Sequence, residues 1–276
     1  MGGEESRQHG GEFKCNLIKQ PFKISRYPIT VAQYQAFVDD KDYQQERFWN
    51  WSKSVIKWRK ENKRTGPEDY DPVFQTQNHP RVGVSWFEAV AFCRWLTERL
   101  RNLPESSSRR EEGPTTGKDG ASLPRLLSGE KICLPSEAEW ERAARGEKGR
   151  PYPWGDETNF AERCNCASTG INHTSAVGLF PSGDTKPLEP GNKTGVADMT
   201  GNIWEWCRTL WLNDYKEYEK NVSDEPEGDN ARVLRGASWD DGDPGFLRSS
   251  CRFYALPGFR GFYVGFRVVC VGASAR

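Results

Sequence analysis

Most of the usual signatures of a biochemical class are missing from this chain of 276 residues. It has no net charge, because 39 basic side chains balance 39 acidic ones, whereas a general binder of nucleic acid carries a basic excess. No apolar run approaches the roughly 20 residues of a membrane-spanning helix, and the mean hydropathy is −0.81. The opening MGGEESRQHGGEFK lacks the apolar core of a secretory signal, so a cytoplasmic location is the expectation. The three histidines, His9, His79 and His173, are widely spaced and form neither H-E-x-x-H nor a facial triad. There is no G-x-S-x-G elbow, no P-loop and no dinucleotide-binding glycine pattern, so those chemistries have no support. The cysteines are Cys15, Cys93, Cys133, Cys164, Cys166, Cys207, Cys251 and Cys270. They are too dispersed for a small disulfide scaffold, and Cys164-Asn165-Cys166 is not a zinc-ribbon spacing. Reduced, mostly buried thiols are expected.

What the chain does have is tryptophan and glycine, 11 and 27 residues respectively. That composition points to an irregular, loop-rich fold held by aromatic packing. Cys15–Tyr27 alternates apolar and polar residues and reads as strand. A helix is expected after Thr30 with Ala32, Tyr34, Phe37 and Val38 inward. Ser85 with Glu88, and Ser136 with Glu139, are capping boxes that open two further helices, the second running Glu137–Arg145 and ending at Gly146. The first of the two buries Phe87, Val90, Ala91, Trp95 and Leu96. Phe48–Pro72 reads as a long Trp-rich loop, Asn102–Glu130 as a low-complexity surface insertion, and Tyr263–Val271 as a closing strand. The fold class is α+β.

Several motifs in fixed order exceed what composition explains: LPSEAEWERAARG (Leu134–Gly146), YPWGD (Tyr152–Asp156), DMTGNIWEWC (Asp198–Cys207), RVLRGASW (Arg232–Trp239) and VGFRVV (Val264–Val269). Together with ISRYPITVAQYQAF and GVSWFEAVAFCRWL, they resemble the formylglycine-generating-enzyme, or sulfatase-modifying-factor, family. The resemblance implies a C-type lectin-like fold in one domain over residues 1–276, with 102–130 as its insertion. It also implies upstream domains in a longer native chain, because the family's first strand lies near the start of this one. Within these motifs Gly201 and Gly236 are expected to permit tight turns, and Trp204, Trp206 and Trp239 to bury large apolar areas. Asp198 and Glu205 flank a turn, a pairing that suits a hard cation. By similarity to the family's calcium site, the ligands would be those two side chains with the Gly201 and Ile203 carbonyls, the alternative being that both acids are salt-bridged or solvated.

Where the family is active, the resemblance implies a C-x4-C cysteine pair just after the R-G-x-S turn, able to bind copper. Alignment on RGASW and GFR puts Pro244 and Ser249 at those positions, and neither supplies a thiolate. No copper and no catalysis are therefore expected. A second anomaly covers Asp240–Val269, which contains no Lys, Glu, Gln, Met or Trp although the rest of the chain uses all five. Those are the types that no codon ending in C or T encodes, the footprint expected from randomising the adenines of asparagine codons, the alternative being chance bias in a short aromatic loop. Diversity-generating retroelements work this way, and their variable proteins often carry a lectin-like fold with the variable region at the C-terminus.

The resemblance thus implies a fixed scaffold (RGASW, Arg248, Arg252, Pro257, Arg260, GFRVV) with a variable binding region over 240–263. Its candidate ligand-contacting residues are Asp240, Asp241, Asp243, Phe246, Leu247, Ser249, Cys251, Phe253, Tyr254, Leu256, Phe259, Phe262 and Tyr263. Six of them are aromatic, giving rigid contact area at low entropic cost. The expected function is non-catalytic binding of a ligand, expected to be a protein in preference to a sugar, with no nucleic acid and no membrane span. The alternatives are an oxidase acting on a substrate cysteine and a structural accessory domain of a larger signalling protein.

Overall fold

The computed structural model describes residues 17–18, 20–63, 66–103, 125–187, 195–213 and 218–272. In chain order the elements are β1 (Phe22–Ile24), α1 (Val31–Asp39), α2 (Lys53–Asn62), α3 (Trp86–Arg101), β2 (Lys131–Cys133), α4 (Glu137–Arg145), β3 (Trp204–Leu210), α5 (Tyr218–Asn221), β4 (Arg232–Arg235), β5 (Arg252–Ala255), β6 (Val264–Gly265) and β7 (Val269–Val271). Ordered loops and short 3-10 turns fill the rest of the described residues. No helix among them is long and apolar enough to cross a membrane.

The capping boxes open α3 and α4 as expected, each with the serine side chain accepting from the N3 amide and the glutamate reaching back to the cap. A third box, Thr30 with Gln33, opens α1. Its buried face is Val31, Tyr34 and Phe37, while Ala32, expected inward, is exposed. A helix whose stripe starts at Val31 turns the next residue to solvent. α4 ends at Gly146, whose φ of 63° is in the region glycine tolerates. The segment expected as a Trp-rich loop contains α2, capped by Ser52, which accepts from the Val55 amide at 3.2 Å. Lys, Arg and Glu dominate that helix, so its apolar periodicity is too sparse to announce it.

Two curled sheets carry the strands. One is three-stranded and antiparallel in the order β1-β7-β2; the other is four-stranded in the order β5-β4-β3-β6, with β6 parallel to β3. The expected closing strand Tyr263–Val271 is therefore split between sheets. The chain leaves β6, sends Phe266 and Arg267 into the interior, and enters β7. The expected opening strand survives as Phe22–Ile24, and Cys15 and Asn16 lie outside the described residues. So does 104–124 of the Asn102–Glu130 insertion.

The core is aromatic. Tyr34 stacks on Phe92 with ring centroids 5.4 Å apart, and Phe266 meets both rings edge-on. Trp206 donates its indole N–H to the Val84 carbonyl and Trp86 to the Cys207 carbonyl, each at 3.0 Å. Tryptophan suits a core bounded by loops for this reason: it buries a large apolar face and also satisfies a backbone carbonyl that no ladder pairs. The seven cysteines described carry no disulfide, and five of them are buried.

Candidate binding face

Three arginines in the last thirty residues make the same kind of contact. Arg252, at the head of β5, places Nε and Nη2 each 2.7 Å from the two oxygens of Glu137, in the first turn of α4. Arg260 grips Glu88, in the first turn of α3, at 2.8 and 2.7 Å, and lies 5.0 Å over the Trp58 ring. Arg267 holds Glu205, on β3, at 2.6 and 2.8 Å. All three pairs are bidentate and buried, and each glutamate is also hydrogen-bonded by another group, such as Tyr43 on Glu88 at 2.9 Å. A charge pair removed from water in this way is rigid in geometry and intolerant of losing one partner. The segment is thus pinned to the scaffold at 252, 260 and 267.

Between the pins the chain turns side chains outward. Phe253, Tyr254, Leu256, Phe259 and Phe262 are all exposed, Leu256 most of all at 64 %. Their rings rest on scaffold aromatics: Phe253 lies 5.7 Å from Trp204, Tyr254 4.7 Å from Trp211, and Phe262 5.8 Å from both Tyr70 and Trp239. Tyr263, half-buried, bridges Phe259 and Phe262. A cleft of about 630 Å³ opens beside β5, floored by Trp58, Phe87, Leu234 and Pro257 and walled by Phe253 to Phe259, with Lys57, Glu61 and Asp229 also lining it. Gly258 is required there, since a Cβ would sit 2.9 Å from the Trp58 indole nitrogen. Sequence reasoning did not place Trp58 (α2), Phe87 (α3), Tyr70 or Trp211 at this face, because they lie far from it along the chain and only the tertiary fold brings them there.

Four expected contact residues are not on the surface in the role foreseen. Leu247, Ser249 and Cys251 are buried, Ser249 completely, with its amide donating to the Pro151 carbonyl at 2.8 Å. The Asp241 carboxylate is turned inward, where it accepts from the Ser238 amide and hydroxyl at 2.8 Å and from the Trp204 indole at 3.0 Å. Its job is to hold the turn after RGASW against the ring on which Phe253 rests. Asp240, Asp243 and Phe246 are exposed, with Asp243 accepting from the Gly245 amide at 2.7 Å.

The expected calcium ligands are engaged by other groups of the protein. Both Glu205 oxygens are taken by Arg267, and Oε2 also accepts from the Trp140 indole at 2.6 Å. A guanidinium at that distance supplies the positive charge that a cation would bring, which is the salt-bridged alternative for Glu205. The Gly201 carbonyl accepts from the Ile203 amide at 2.8 Å. Asp198 accepts from the Gly178 amide at 2.7 Å, and burial raises its carboxyl to about 6. Among the described residues no three His, Cys, Asp or Glu side chains converge on a metal position. Gly201 and Gly236 do hold the turns expected of them, with φ of 76° and 105°.

Comparison with known proteins fits this architecture. A profile of the Sulfatase-modifying factor enzyme 1-like domain matches residues 2–271. The chain belongs to that family. Among its relatives is the inactive C-alpha-formylglycine-generating enzyme 2 of Mus musculus, 29% identical over 294 aligned residues, covering 100% of this chain and 83% of the relative. Another is the hercynine oxygenase of Mycolicibacterium thermoresistibile, 27% identical over 275 residues, of which this chain spans only 52%. Among solved structures, PvdO from Pseudomonas aeruginosa matches with a TM-score of 0.56 at 26% identity, covering 91% of this chain and 80% of PvdO. Treponema denticola variable protein 1 matches with a TM-score of 0.56 at 22% identity, covering 95% and 91%, and shows the shared fold. The fold is thus the lectin-like one of the sulfatase-modifying-factor family.

Relatives named as enzymes and one named inactive stand side by side, so membership alone does not assign catalysis. The positions where the family resemblance places its cysteines are more telling. Pro244 is exposed on the turn after Asp243, and Ser249 is sealed in the interior. Cys251 is buried, and burial pushes its thiol up from the usual range, away from the thiolate form.

Proposed function

We propose that this member of the sulfatase-modifying-factor family is a non-catalytic binding domain that displays a diversified segment on a lectin-like scaffold. One observation carries the reading. The arginines at 252, 260 and 267 are each locked to a buried glutamate, while five of the residues between the first pin and the last stand exposed. A surface of this construction can change its exposed residues without disturbing its anchors, which is the separation a diversified site requires. The missing residue types of Asp240–Val269 follow from the same reading, and the fold is shared with a protein named for its variability.

The ligand favoured is a protein surface. Exposed Phe, Tyr and Leu around a cleft of about 630 Å³ match the aromatic-rich core of protein interfaces, and they offer few polar groups to orient a sugar. Pro244 and Ser249 leave the oxidase reading without its sulfur ligands.

The decisive experiment is to sequence the genomic DNA around the coding region. The expected result is a near-copy of the segment encoding Asp240–Val269, with adenines at the differing positions and a reverse transcriptase gene beside it. A complete source genome with no such copy overturns the diversification reading. Separately, incubation with copper and a cysteine-containing peptide should leave the peptide mass unchanged; conversion of its cysteine to formylglycine would overturn the non-catalytic reading.

A further inference from the structure

Helix α2 borders two clefts. Lys57, Trp58 and Glu61 line the one beside β5, whereas Ile56, Arg59, Lys60 and Lys63 line a second, of about 420 Å³, whose lining contains none of the displayed residues. The second set is spaced i, i+3, i+4 and i+7, which is one stripe of a helix. Lys63 lies three residues from Lys60 and four from Arg59, spacings at which like charges repel. On the neighbouring stripe Lys57 and Glu61, four apart, are of opposite sign. Arg59, Lys60 and Lys63 form no ion pair among the described residues.

The facing wall comes from the 3-10 turn Glu46–Phe48 and the residues beside it, with Glu46, Trp49 and Asn50 lining the cleft. The Tyr43 carbonyl accepts from the Trp49 indole at 2.8 Å and from Arg59 Nη2 at 3.0 Å, and the guanidinium lies 4.1 Å over the Trp49 ring. Arg59 is thus fixed in place, while among the described residues its other N–H groups have no hydrogen-bond partner. Burial weakens its hold on its proton, a cost that an anion seated beside it would offset. The negative end of α2 accounts for cations in its last turn. It does not account for a cavity between them and a polar turn.

We propose that this second cleft binds a small phosphorylated polyol. Arg59, Lys60 and Lys63 set against Glu46 leave two positive charges, which match a phosphate monoester at neutral pH. The phosphate sits on the three cations, with the fixed guanidinium offering it a fork of N–H donors. Ile56, an exposed apolar side chain, meets the carbon body, and Glu46 and Asn50 take its hydroxyls. The volume is that of a small-molecule site, not of a protein interface. The site is separate from the displayed segment, so neither reading depends on the other.

The test titrates the full chain with glucose 6-phosphate, glucose and inorganic phosphate by isothermal calorimetry at physiological ionic strength, where exposed charges alone are largely screened. The expected result is saturable binding of glucose 6-phosphate, tighter than that of inorganic phosphate, with no heat from glucose. K60Q/K63Q should weaken it about tenfold or more by removing two charge-assisted contacts. K53Q, on the same helix but outside the cleft, should leave it unchanged. Without ligand K60Q/K63Q should melt close to wild type, since both lysines are exposed; if it fails to fold, the wild-type titrations decide alone. Glucose 6-phosphate that shows no saturable binding, or binds no tighter than inorganic phosphate, overturns the proposal. So does a folded K60Q/K63Q that binds it as wild type does.

Discussion

Arg267 closes on Glu205 with both ends of its guanidinium, Nε 2.6 Å from one carboxylate oxygen and Nη2 2.8 Å from the other. The same Nη2 donates to the Ala197 and Asp198 carbonyls at 3.0 Å. Arg267 sits in the link between β6 and β7, where the chain passes from one sheet to the other. One side chain therefore ties together β3, the turn at Asp198 and the seam between sheets.

Removing one member of that pair leaves the other charged and buried. Glu205→Ala should cost about 3–5 kcal/mol in urea unfolding. Replacing both, as in the double variant E205M/R267M, should cost less than the sum of the single changes, since no bare charge remains. Strict additivity would mean that the two groups do not act as a pair.

The same contact argues against calcium. Protein treated with a chelator should keep its melting temperature when calcium is added, because the Glu205 oxygens are already engaged. A rise that grows with calcium concentration would restore the cation site.

Asp198 gives a pH signature. Burial raises its carboxyl from 3.8 to about 6. Between those values the folded state keeps a proton that the unfolded chain has released, so this group's contribution is complete below the lower value and is lost as pH rises through the upper one. The slope is about 1.4 kcal/mol per pH unit. Asp198→Asn, which tolerates the residue's φ of 53°, should remove it. Urea midpoints from about pH 4 to about pH 7 should show wild type losing ground to the variant as pH rises, with the gap constant once Asp198 is fully ionised. Parallel curves would refute the assignment.

Pinned and displayed positions should separate in stability. Leu256→Ser and Asp240→Ala, both at exposed sites, should stay within about 0.5 kcal/mol of wild type. Arg252→Ala and Arg260→Ala should each lose about 3–5 kcal/mol by stranding Glu137 and Glu88. Equal losses in the two groups would show that the exposed residues are structural after all.

What the sequence determined by itself was whatever depends on near neighbours or on residue identity. The capping boxes at Ser85 and Ser136 need partners only three residues away, and α3 and α4 start where those boxes place them. The motif order identified the family, and Pro244 and Ser249 could be read as non-thiols without coordinates. The tertiary structure alone decided which side of an irregular segment faces water. From Asp240 to Tyr263 the backbone has little repeat, so no period distinguishes buried Leu247, Ser249 and Cys251 from exposed Phe253 and Leu256. It also decided the partner of each buried charge. Glu205 was open to calcium or to an arginine until the fold brought Arg267 to it from 62 residues away, because a carboxylate's role is set by the charge that packs against it, not by its neighbours in sequence.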